Sequence, residues 1–596
     1  MRFKESAEQG SYLRAASEAG RLDSVFAGLD VLSSTPWRVN RSVFDVVLEA
    51  WNKGDAIADL PASEEKSHYP QPIKPSPDDV DPASRSNYVA QMRDVQSEMK
   101  KDHSERCKFN YNLELARSFL NDVFYIPHNV DFRGRAYPIP PHLNPVGDDL
   151  CRGLLTFGTQ KPLGERGLMW LRIHLANLYG FDKAKFKDRE QFAIDHEKDI
   201  FDSADNPLGG NRWWLKAEEP WQCLAACFEL SAALRSGNPH EYLSSLPVHQ
   251  DGTCNGMQHY AALGGDVQGA KAVNLVGGDR PADVYTRIAD LVNEIINQDA
   301  AAGKSFAQIA QGKITRKVVK QTVMTTVYGV TFIGAKEQIA KQLVAKGEIP
   351  REYIYHVSGY IATTVLACIG DLFSGAKAIQ DWLTMSARLI CKSVSMERAP
   401  AMVSPLTKSA NPRKKTLDSD EIPVLDKAGK AVTRLQKEAM TSVVWTSPLG
   451  LPVVQPYRKI ARKQVSPQMK PSPRYSLSSY TDVQIHRFWS LQVLTALQTV
   501  YISDPNAVSE VASGKQASAM PPNFIHSLDA THMLMCAARC RDDGITFASV
   551  HDSYWSHASS IDQLSKNIRE TFIELHSRDI IGDVRKEVGW HAPNVR

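Results

Sequence analysis

The sequence has few cysteines and no close cysteine pair of the kind that binds zinc. Nine cysteines are spread over 596 residues, and none stands three positions from another. This excludes a disulfide-stapled fold and a zinc ribbon. Two pairs stand four residues apart among apolar neighbours, Cys223 with Cys227 and Cys536 with Cys540. Because a free cysteine behaves as a small apolar side chain, we expect both pairs on buried helix faces rather than in half of a metal site.

The sequence also lacks a long apolar run, a strong charge imbalance and a leader-like beginning. No stretch of 18 or more residues is apolar throughout, so we expect no membrane insertion. The net charge of +3 neither requires nor excludes nucleic acid as a partner. Glu5, Glu8 and Glu18 stand among the first twenty residues, which is atypical of secretory and organelle-targeting peptides. We therefore expect no targeting peptide in this chain.

The length and the changes in composition predict two to four domains. Residues 61–86 contain six prolines and predict an extended connector, followed by a charged helix to about residue 126. Two segments without a usable period, 399–440 and 466–490, predict loops or insertions. Between them, residues 442–457 predict a hairpin that turns at Pro448-Leu449-Gly450. No internal repeat is visible.

Two aspartates stand where a short apolar run ends. The stretch FASVHDSYWSHAS predicts a strand, a turn that carries Asp552 and a second strand. The stretch LPVHQDGTCNGMQHYAALGGD places Asp251 at a strand end, followed by Gly252 and then a helix. If the two carboxylates converge, they could hold two Mg²⁺ ions together with a substrate triphosphate. Most turn aspartates bind only turn backbone, however, so that interpretation also stays open.

A basic stripe is predicted on the segment KITRKVVKQTVMTTVYGV, which has apolar residues at helical intervals. The stripe consists of Arg316, Lys320, Met324 and Tyr328, at steps of four residues. A guanidinium and an ammonium one turn apart suit a triphosphate, and an aromatic ring beyond them suits a base or a sugar. Gly329 is a natural stop for the helix. A surface helix with outward-facing basic residues, or a strand, remains an alternative.

Two further motifs contain residues that suit nucleic acid. In IPHNVDFRGRAYP, Arg133 and Arg135 flank Gly134, which would let two guanidiniums and the backbone approach a phosphate chain. A solvated loop is the alternative. In GKQASAMPPNFIHSLDATHM, we expect Pro521-Pro522 to open a helix that carries His526. His526 could line the same site or simply pack in the core.

These motifs, in this order, resemble those of the single-subunit, bacteriophage-type DNA-directed RNA polymerases, and among them the mitochondrial enzymes, especially fungal ones. DGTCNGMQHYAALGGD is similar to the first carboxylate motif of that family, RKVVKQTVMTTVYG to its fingers-helix motif and SVHDSYW to its second carboxylate motif. DFRGRAYP and PPNFIHSLDATHM also match. The likeness extends from about residue 35 to near residue 580. It implies an α+β, multi-domain right-hand polymerase fold, mostly helical, with a small antiparallel sheet in the palm.

The resemblance implies template-directed transfer of nucleotidyl groups from ribonucleoside triphosphates to an RNA 3′-hydroxyl, with two Mg²⁺ ions as cofactors. It makes Asp251, Asp552 and the Gly252 carbonyl metal ligands. It makes Lys320 the third catalytic residue, close to the leaving pyrophosphate. The remaining substrate-binding positions would be Arg316, Met324, Tyr328, Gly329 and Arg172. The template- or primer-binding positions would be Arg133, Arg135, His526 and His551.

One implication of the resemblance can be checked against side-chain size. Related DNA polymerases carry a bulky glutamate five residues after the first catalytic aspartate, where it blocks a 2′-hydroxyl. This chain has Gly256 at that position. A ribonucleotide would therefore fit, which favours an RNA product.

The resemblance also divides the chain into regions. They are a remnant of an N-terminal region (1–60), a thumb with its connector (61–126), a first palm part (127–280), fingers with insertion-like segments (281–519) and a second palm part (520–596). It implies a DNA template, nascent RNA and mitochondrial transcription initiation factors as partners, and a mitochondrial location.

Three departures from the family pattern affect what we expect of this chain. By comparison with the family, we expect the large N-terminal region to be absent, with this chain beginning near its end, and the C-terminus, at EVGWHAPNVR, to come earlier. Residues 466–490 fall where the family has its promoter-specificity hairpin. Elongation is therefore expected more than promoter recognition. A metal-dependent nuclease or phosphohydrolase, and an inactive fragment that only binds nucleic acid, remain the alternatives.

Overall fold

The structure, a computed structural model, describes most of the chain. The described residues are 7–76, 82–278, 280–327, 329–393, 403–405, 407–409, 421–425, 433–435, 440–459, 463–465, 500–502 and 509–591. Tyr328, the segment 466–490 and most of 399–440 lie outside them. The chain divides into two compact units. The first contains residues 1–381, 445–453 and 521–584, and the second contains residues 382–444, 454–520 and 585–596.

Helices make up most of the described chain. They are α1 (Ala7–Glu18), α2 (Asp23–Ser34), α3 (Arg41–Lys53), α4 (Pro82–Ser118), α5 (Asp149–Gly153), α6 (Gly164–Tyr179), α7 (Phe186–Asp195), α8 (Glu197–Asp205), α9 (Pro220–Arg235), α10 (Asn255–Gly264), α11 (Val267–Ala272), α12 (Val284–Ala301), α13 (Ser305–Ala310), α14 (Arg316–Thr326), α15 (Phe332–Lys346), α16 (Arg351–Leu372), α17 (Ser374–Ile390), α18 (Ser513–Asp542), α19 (Ile561–His576) and α20 (Ile580–His591).

The strands are short. They are β1 (Pro36–Val39), β2 (Phe124–Tyr125), β3 (His128–Val130), β4 (Ala136–Pro138), β5 (Leu155–Phe157), β6 (Lys161–Pro162), β7 (Leu243–Ser244), β8 (Pro247–Asp251), β9 (Val403–Pro405), β10 (Thr407–Ser409), β11 (Glu421–Pro423), β12 (Thr433–Leu435), β13 (Val444–Thr446), β14 (Pro452–Val454), β15 (Lys463–Val465), β16 (Val500–Ile502), β17 (Ala548–Val550) and β18 (Ser553–His557). They form small antiparallel sheets. The prediction of a mostly helical α+β chain is confirmed.

Aromatic side chains connect the sheets of the first unit through its core. Trp37 of β1 is 1% exposed, and its ring centroid lies 5.2 Å from that of Phe157 and 6.4 Å from that of Trp555. Buried aromatic pairs contribute beyond the area that they remove from water. The three rings therefore join β1, β5 and β18 into one packed body.

Helix α3 ends just before Gly54, and the residues at its two ends show why it begins and stops there. Asn40 accepts a hydrogen bond from the Val43 backbone N–H at the beginning of α3. Gly54 has φ of +71° and donates its N–H to Ala50 O. Glycine adopts this left-handed conformation without the cost of a Cβ atom, which makes it the usual helix stop.

The predicted cysteine placement is confirmed as well. Cys223 and Cys227 lie on α9, Cys536 and Cys540 lie on α18, and all four are fully buried. Within the described residues, no group of three or more His, Cys, Asp or Glu side chains could hold a metal ion. The cysteine pairs therefore fill the helix-packed core.

Helix α16 is long and apolar enough to cross a membrane by length and composition, and half of its most apolar window is buried inside the protein. Ile361, Val365 and Ile369 are among its buried side chains. A mostly apolar core helix passes the same test, so this feature is weak support for a membrane span.

Three predicted boundaries differ from the structure. The connector ends at Pro82, where α4 begins, and α4 ends at Ser118 rather than near residue 126. The prediction that Pro521-Pro522 opens a helix is wrong, because α18 begins at Ser513 and runs through both prolines. Proline is favoured at helix starts because its missing N–H is not needed there, but local preference does not prevent a longer helix.

The predicted hairpin within 442–457 is confirmed. Strands β13 and β14 pair, and Gly450, with φ of +86°, donates its N–H to Ser447 O at 2.8 Å. In the second unit, the buried amides of Gln455 and Gln516 bond each other's backbone carbonyls at 3.0 and 3.1 Å. These reciprocal bonds satisfy two buried polar side chains at once.

Candidate active site

A three-stranded sheet brings the two predicted aspartates together. Its strand order is β17-β18-β8, and β18 pairs with β8 so that Ser553 lies opposite Asp251. Asp552 immediately precedes Ser553, in the turn between β17 and β18 where His551 has φ of +58°. A Cβ atom on Gly252 would lie 3.8 Å from the Asp552 carbonyl oxygen. The strand-turn-strand and strand-end predictions are both confirmed, and the two carboxylates are neighbours.

The two carboxyls lie in a setting that disfavours two negative charges. Burial by the surrounding protein, and then the charge of Asp552, raise the pKa of Asp251 to about 7. Burial also raises the pKa of Asp552. Asp251 nonetheless keeps an exposed side towards the cleft. A divalent cation that enters through the cleft and binds both carboxylates would relieve this repulsion. Mg²⁺ typically binds one or two carboxylates, and substrate oxygens complete its coordination shell. The residues present therefore fit such a metal.

One large cleft contains the carboxylates and most of the basic stripe. Its volume is about 1260 Å³. The predicted site residues that line it are Asp251, Gly252, Asp552, Arg316, Lys320 and Met324. Three members of the stripe therefore line the same cleft as the two carboxylates.

The described members of the basic stripe, Arg316, Lys320 and Met324, lie on α14, so the helix prediction is confirmed and the strand alternative is excluded. Val318, Val319 and Val323 are buried on the opposite side. Arg316 donates from Nε to Asp283 at 2.7 Å, and its guanidinium lies 5.4 Å from the ring centre of Tyr285.

The sequence predicts that the helix stops at Gly329, and α14 ends three residues before it, at Thr326. Gly329 has φ of +71° and donates its N–H to Thr326 O at 3.0 Å. Tyr328, the last member of the stripe, lies outside the described residues, so its predicted role stays a prediction.

The space beside Gly256 is not open. A Cβ atom there would lie 2.2 Å from Cγ1 of Val327 and 3.5 Å from Cγ2 of Ile525. Both Gly256 and Val327 line the cleft. The absent side chain therefore lets α10 and the end of α14 approach each other, in addition to any room that it leaves for a ribose.

Arg172 is not brought to the cleft. It lies on α6, and its Nη1 donates to Glu190 at 3.5 Å. The residues that line the cleft instead include Lys183, from the loop between α6 and α7. In the sequence, Lys183 stands in GFDKAKFKD, and a high local charge is the only feature there that could have indicated a place in the site.

The second arginine motif forms an internal network behind the Asp552 turn. Arg133 donates from Nε to Asp131 at 2.8 Å and from Nη1 to His526 Nδ1 at 2.7 Å. Burial and nearby arginine charges lower the pKa of His526 to about 2, so its ring is neutral and can accept this bond. Arg135 binds Asp529 on α18. Both guanidiniums are thus held by protein groups.

His551 belongs to the same network. Its ring lies 4.9 Å from that of Tyr137 on β4. Burial, and then the charges of Arg135 and Arg133, lower its pKa to about 4. The network therefore supports the turn that carries Asp552, and its predicted contact with template or primer stays a prediction.

Another cleft residue that the sequence motifs do not include is Arg152 on α5. Its Nε donates to Pro145 O and Gly147 O, both at 3.2 Å. Its guanidinium lies 5.8 Å from the ring centre of Trp555. Arg152 stands in no predicted motif, and only the fold brings it to the site.

Paired carboxylates and a basic helix around one cleft are typical of enzymes that act on nucleotide phosphates. The comparisons with known proteins are more specific. The family model described as DNA-dependent RNA polymerase matches residues 161–594. The chain is 44% identical to the mitochondrial DNA-directed RNA polymerase of Neurospora crassa over 97% of its own length and 39% of that protein. The chain belongs to the DNA-dependent RNA polymerase family.

Further relatives carry related names. The identity is 42% to the mitochondrial DNA-directed RNA polymerase of Schizosaccharomyces pombe, over 98% of this chain and 45% of that protein. It is 41% to the mitochondrial DNA-directed RNA polymerase 1 of Nicotiana sylvestris, over 97% of this chain and 50% of that protein. The chain therefore spans half or less of the length of these relatives.

Proposed function

We propose that this chain is the catalytic region of a DNA-directed RNA polymerase, which adds ribonucleotides to an RNA 3′-hydroxyl under the direction of a DNA template. The observation that carries the proposal is the convergence of Asp251, Asp552 and the α14 stripe on one cleft. Membership of the polymerase family supports it. A nuclease would also use the two carboxylates, but it gives the basic stripe on α14 no role.

Asp251, Asp552 and the Gly252 carbonyl would hold two Mg²⁺ ions. When bound, these ions would supply charge stabilisation to the attacking and leaving oxygens. The raised pKa values of both carboxyls support this assignment, since they mark a place where a cation is favoured.

The basic residues of α14 would handle the triphosphate. Arg316 is oriented by Asp283 and Tyr285, so its remaining N–H groups can meet phosphate oxygens in a fixed geometry. Lys320, one turn further into the cleft, would stabilise or protonate the leaving pyrophosphate. Met324, Tyr328 and Gly329 would shape the nucleotide pocket beyond it. Most of the catalytic effect would come from such positioning and charge.

We further propose the right-hand arrangement for this chain. The palm would comprise residues 127–280 and 520–596, because β8 from the first segment pairs with β18 from the second. The fingers would be residues 281–519, which contain α14. Residues 61–126 would form the thumb, since α4 is the long helix that follows the connector. Residues 1–60 would be the remnant of an N-terminal region.

The partners would be a DNA template, nascent RNA, ribonucleoside triphosphates and mitochondrial transcription initiation factors. The relatives named above are mitochondrial by name, which supports a mitochondrial location and mitochondrial DNA as the template. Arg133, Arg135, His526 and His551 would act on the template and primer side.

Primer extension tests the proposal. A preformed RNA–DNA scaffold, with Mg²⁺ and ribonucleoside triphosphates, avoids any need for a promoter. We expect template-dependent extension by the chain and a loss of at least about 100-fold in Asp552→Asn, because the substitution removes charge at the reacting centre. Asp542→Asn, at an exposed position on α18, is the matched control and should extend normally.

Two other outcomes would contradict the proposal. Scaffold binding that weakens with salt, without extension, would identify an inactive nucleic-acid-binding fragment. Shortening of the RNA without extension would identify a nuclease.

A further inference from the structure

Arg152 lies in the candidate active site without a role in any of the motifs. It belongs to α5, whose first turn is capped by Asp148, which accepts a hydrogen bond from the Cys151 N–H at 3.0 Å. It lines the same cleft as Asp251, Asp552 and Lys320. Since it is far in sequence from all three, its presence there is a result of the fold.

The guanidinium of Arg152 is fixed at one end. Its Nε–H is shared between Pro145 O and Gly147 O, and its plane lies near the ring of Trp555. Within the described part of the chain, no hydrogen bond or ion pair engages its two terminal nitrogens. Four N–H groups with a full positive charge are therefore available to a ligand.

The position of the guanidinium relates it to Asp251. His249 and Asp251 are two residues apart on β8 and so point to the same face of the sheet. Trp555, opposite His249, stacks on its ring at 4.0 Å. Arg152 covers Trp555 and so lies on the face that carries Asp251. Its charge acts on Asp251, where it lowers the pKa against the larger effect of burial.

Two other cations of the cleft differ from Arg152 in having a bonded carboxylate. Arg316 is bonded to Asp283, and Lys183 is bonded to Asp182. An unpaired guanidinium in a partly buried cleft is costly unless a ligand compensates its charge. A phosphate does so well, because its oxygens match two parallel N–H donors.

We propose that Arg152 binds a phosphate group at the reacting centre through its terminal nitrogens. This inference rests on the proposed polymerase function. The phosphate is either the last phosphodiester of the RNA 3′ end or the α-phosphate of the incoming ribonucleoside triphosphate. Both have the same chemistry, and the two experimental arms below distinguish them.

The first measurement compares variants in single-nucleotide extension of the scaffold. We expect Arg152→Gln to lower kcat/KM by about 10- to 100-fold, as for the loss of charge-assisted hydrogen bonds. Arg152→Lys keeps the positive charge but loses the two parallel N–H donors of the guanidinium. Its kcat/KM should therefore lie between those of Arg152→Gln and the wild type. Arg235→Gln is the matched control, because Arg235 also lies over an aromatic ring, Phe201, but is exposed and paired with Asp205.

The second measurement identifies the phosphate. Sulfur replaces one non-bridging oxygen, with each stereoisomer separate, either at the α-phosphate of the nucleotide or in the last RNA linkage. When the sulfur is in the phosphate that Arg152 binds, it should slow the wild type but should not slow Arg152→Gln any further. The other arm should show equal sulfur effects in both proteins.

The outcomes separate this inference from the proposed function. Absence of extension by the wild type would overturn both. Extension by the wild type with an unchanged Arg152→Gln rate would overturn the inference alone. A slow Arg152→Gln with equal sulfur effects in both arms, or with a thermal midpoint well below that of Arg235→Gln, would show that Arg152 acts by holding the loop at Pro145 and Gly147.

Discussion

The backbone of Gly256 lies so close to Val327 that no larger residue fits without a shift. Gly256 follows Asp251 by five residues and is buried, while Val327 immediately follows the last residue of α14. The contact therefore sets the distance between the carboxylates on one side and Arg316 and Lys320 on the other. Residue size at this point affects both the sugar pocket and the alignment of the triphosphate.

We expect Gly256→Ala to raise the KM for ribonucleoside triphosphates by about 5- to 100-fold, because overpacking of this kind costs about 1–3 kcal/mol. Steady-state scaffold extension measures the change. Combining it with Val327→Ala should restore most of the affinity, since the clash is with Cγ1 of Val327. Gly370→Ala on α16, where an added Cβ meets no atom within 4 Å, is the control. Failure of the double variant to recover would mean that the ribose, not Val327, occupies this space.

At the scale of elements, a buried ion pair joins the β3–β4 hairpin to α18. Arg135 donates from Nε to both oxygens of Asp529 at 3.1 Å, and the two side chains are only 13% and 5% exposed. The hairpin also contacts the Asp552 turn through Tyr137 and His551. The pair therefore helps to hold the element that presents the second carboxylate.

Breaking this pair from one side should be costly. We expect Asp529→Leu to lower the free energy of unfolding by about 3–5 kcal/mol, because Arg135 stays buried without its carboxylate. The double variant Arg135→Leu/Asp529→Leu should recover much of the loss. Urea unfolding followed by tryptophan fluorescence measures both. Asp205→Leu, which breaks the exposed pair with Arg235, is the control and should change little. If Asp529→Leu and Asp205→Leu lowered the free energy of unfolding equally, the result would argue against a buried role for Asp529.

Local sequence patterns predicted the elements that carry the site, and the reasons are physical. Short apolar runs and turn residues predicted β17 and β18, and helical apolar spacing predicted α14, because these signals depend on neighbours along the chain. The start of α18 was missed because a proline pair favours helix starts only locally. Arg152 and Lys183 were missed because no local pattern distinguishes a cleft arginine or lysine from a solvated one.

At the scale of the whole molecule, buried histidines make stability depend on pH. Burial lowers the pKa of His174 to about 3 and the pKa values of His532 and His557 to about 4. All three are nearly inaccessible to solvent. Since the unfolded chain binds protons below about pH 6.5 and the folded one does not, the stability that is present above pH 6.5 is lost as the pH falls towards 4.

We therefore expect the free energy of unfolding to fall between pH 7.5 and pH 5.5, by about 1.4 kcal/mol for each such histidine at pH 5.5. The raised pKa values of Asp251 and Asp529 act in the opposite direction over this range, but the three histidines outnumber them. Urea midpoints at the two pH values measure the effect. His174→Phe should reduce the loss of unfolding free energy between pH 7.5 and pH 5.5 by the contribution of one histidine. His240→Gln, at an exposed position, should leave that loss unchanged. A midpoint that does not fall on acidification would contradict the prediction.

The sequence by itself determined the motifs, the local elements and the chemistry available to them: two strand-end carboxylates, a basic helix face and the glycines beside them. These follow from residue order, since backbone preference and periodicity act over a few residues. The tertiary structure decided which of these groups share a cleft. The pairing of β8 with β18 placed Asp251 beside Asp552, and the approach of Val327 to Gly256 set α14 against them. Long-range packing also gave Arg133 and Arg135 protein partners and left the guanidinium of Arg152 facing the site, because burial and charge compensation depend on neighbours in space.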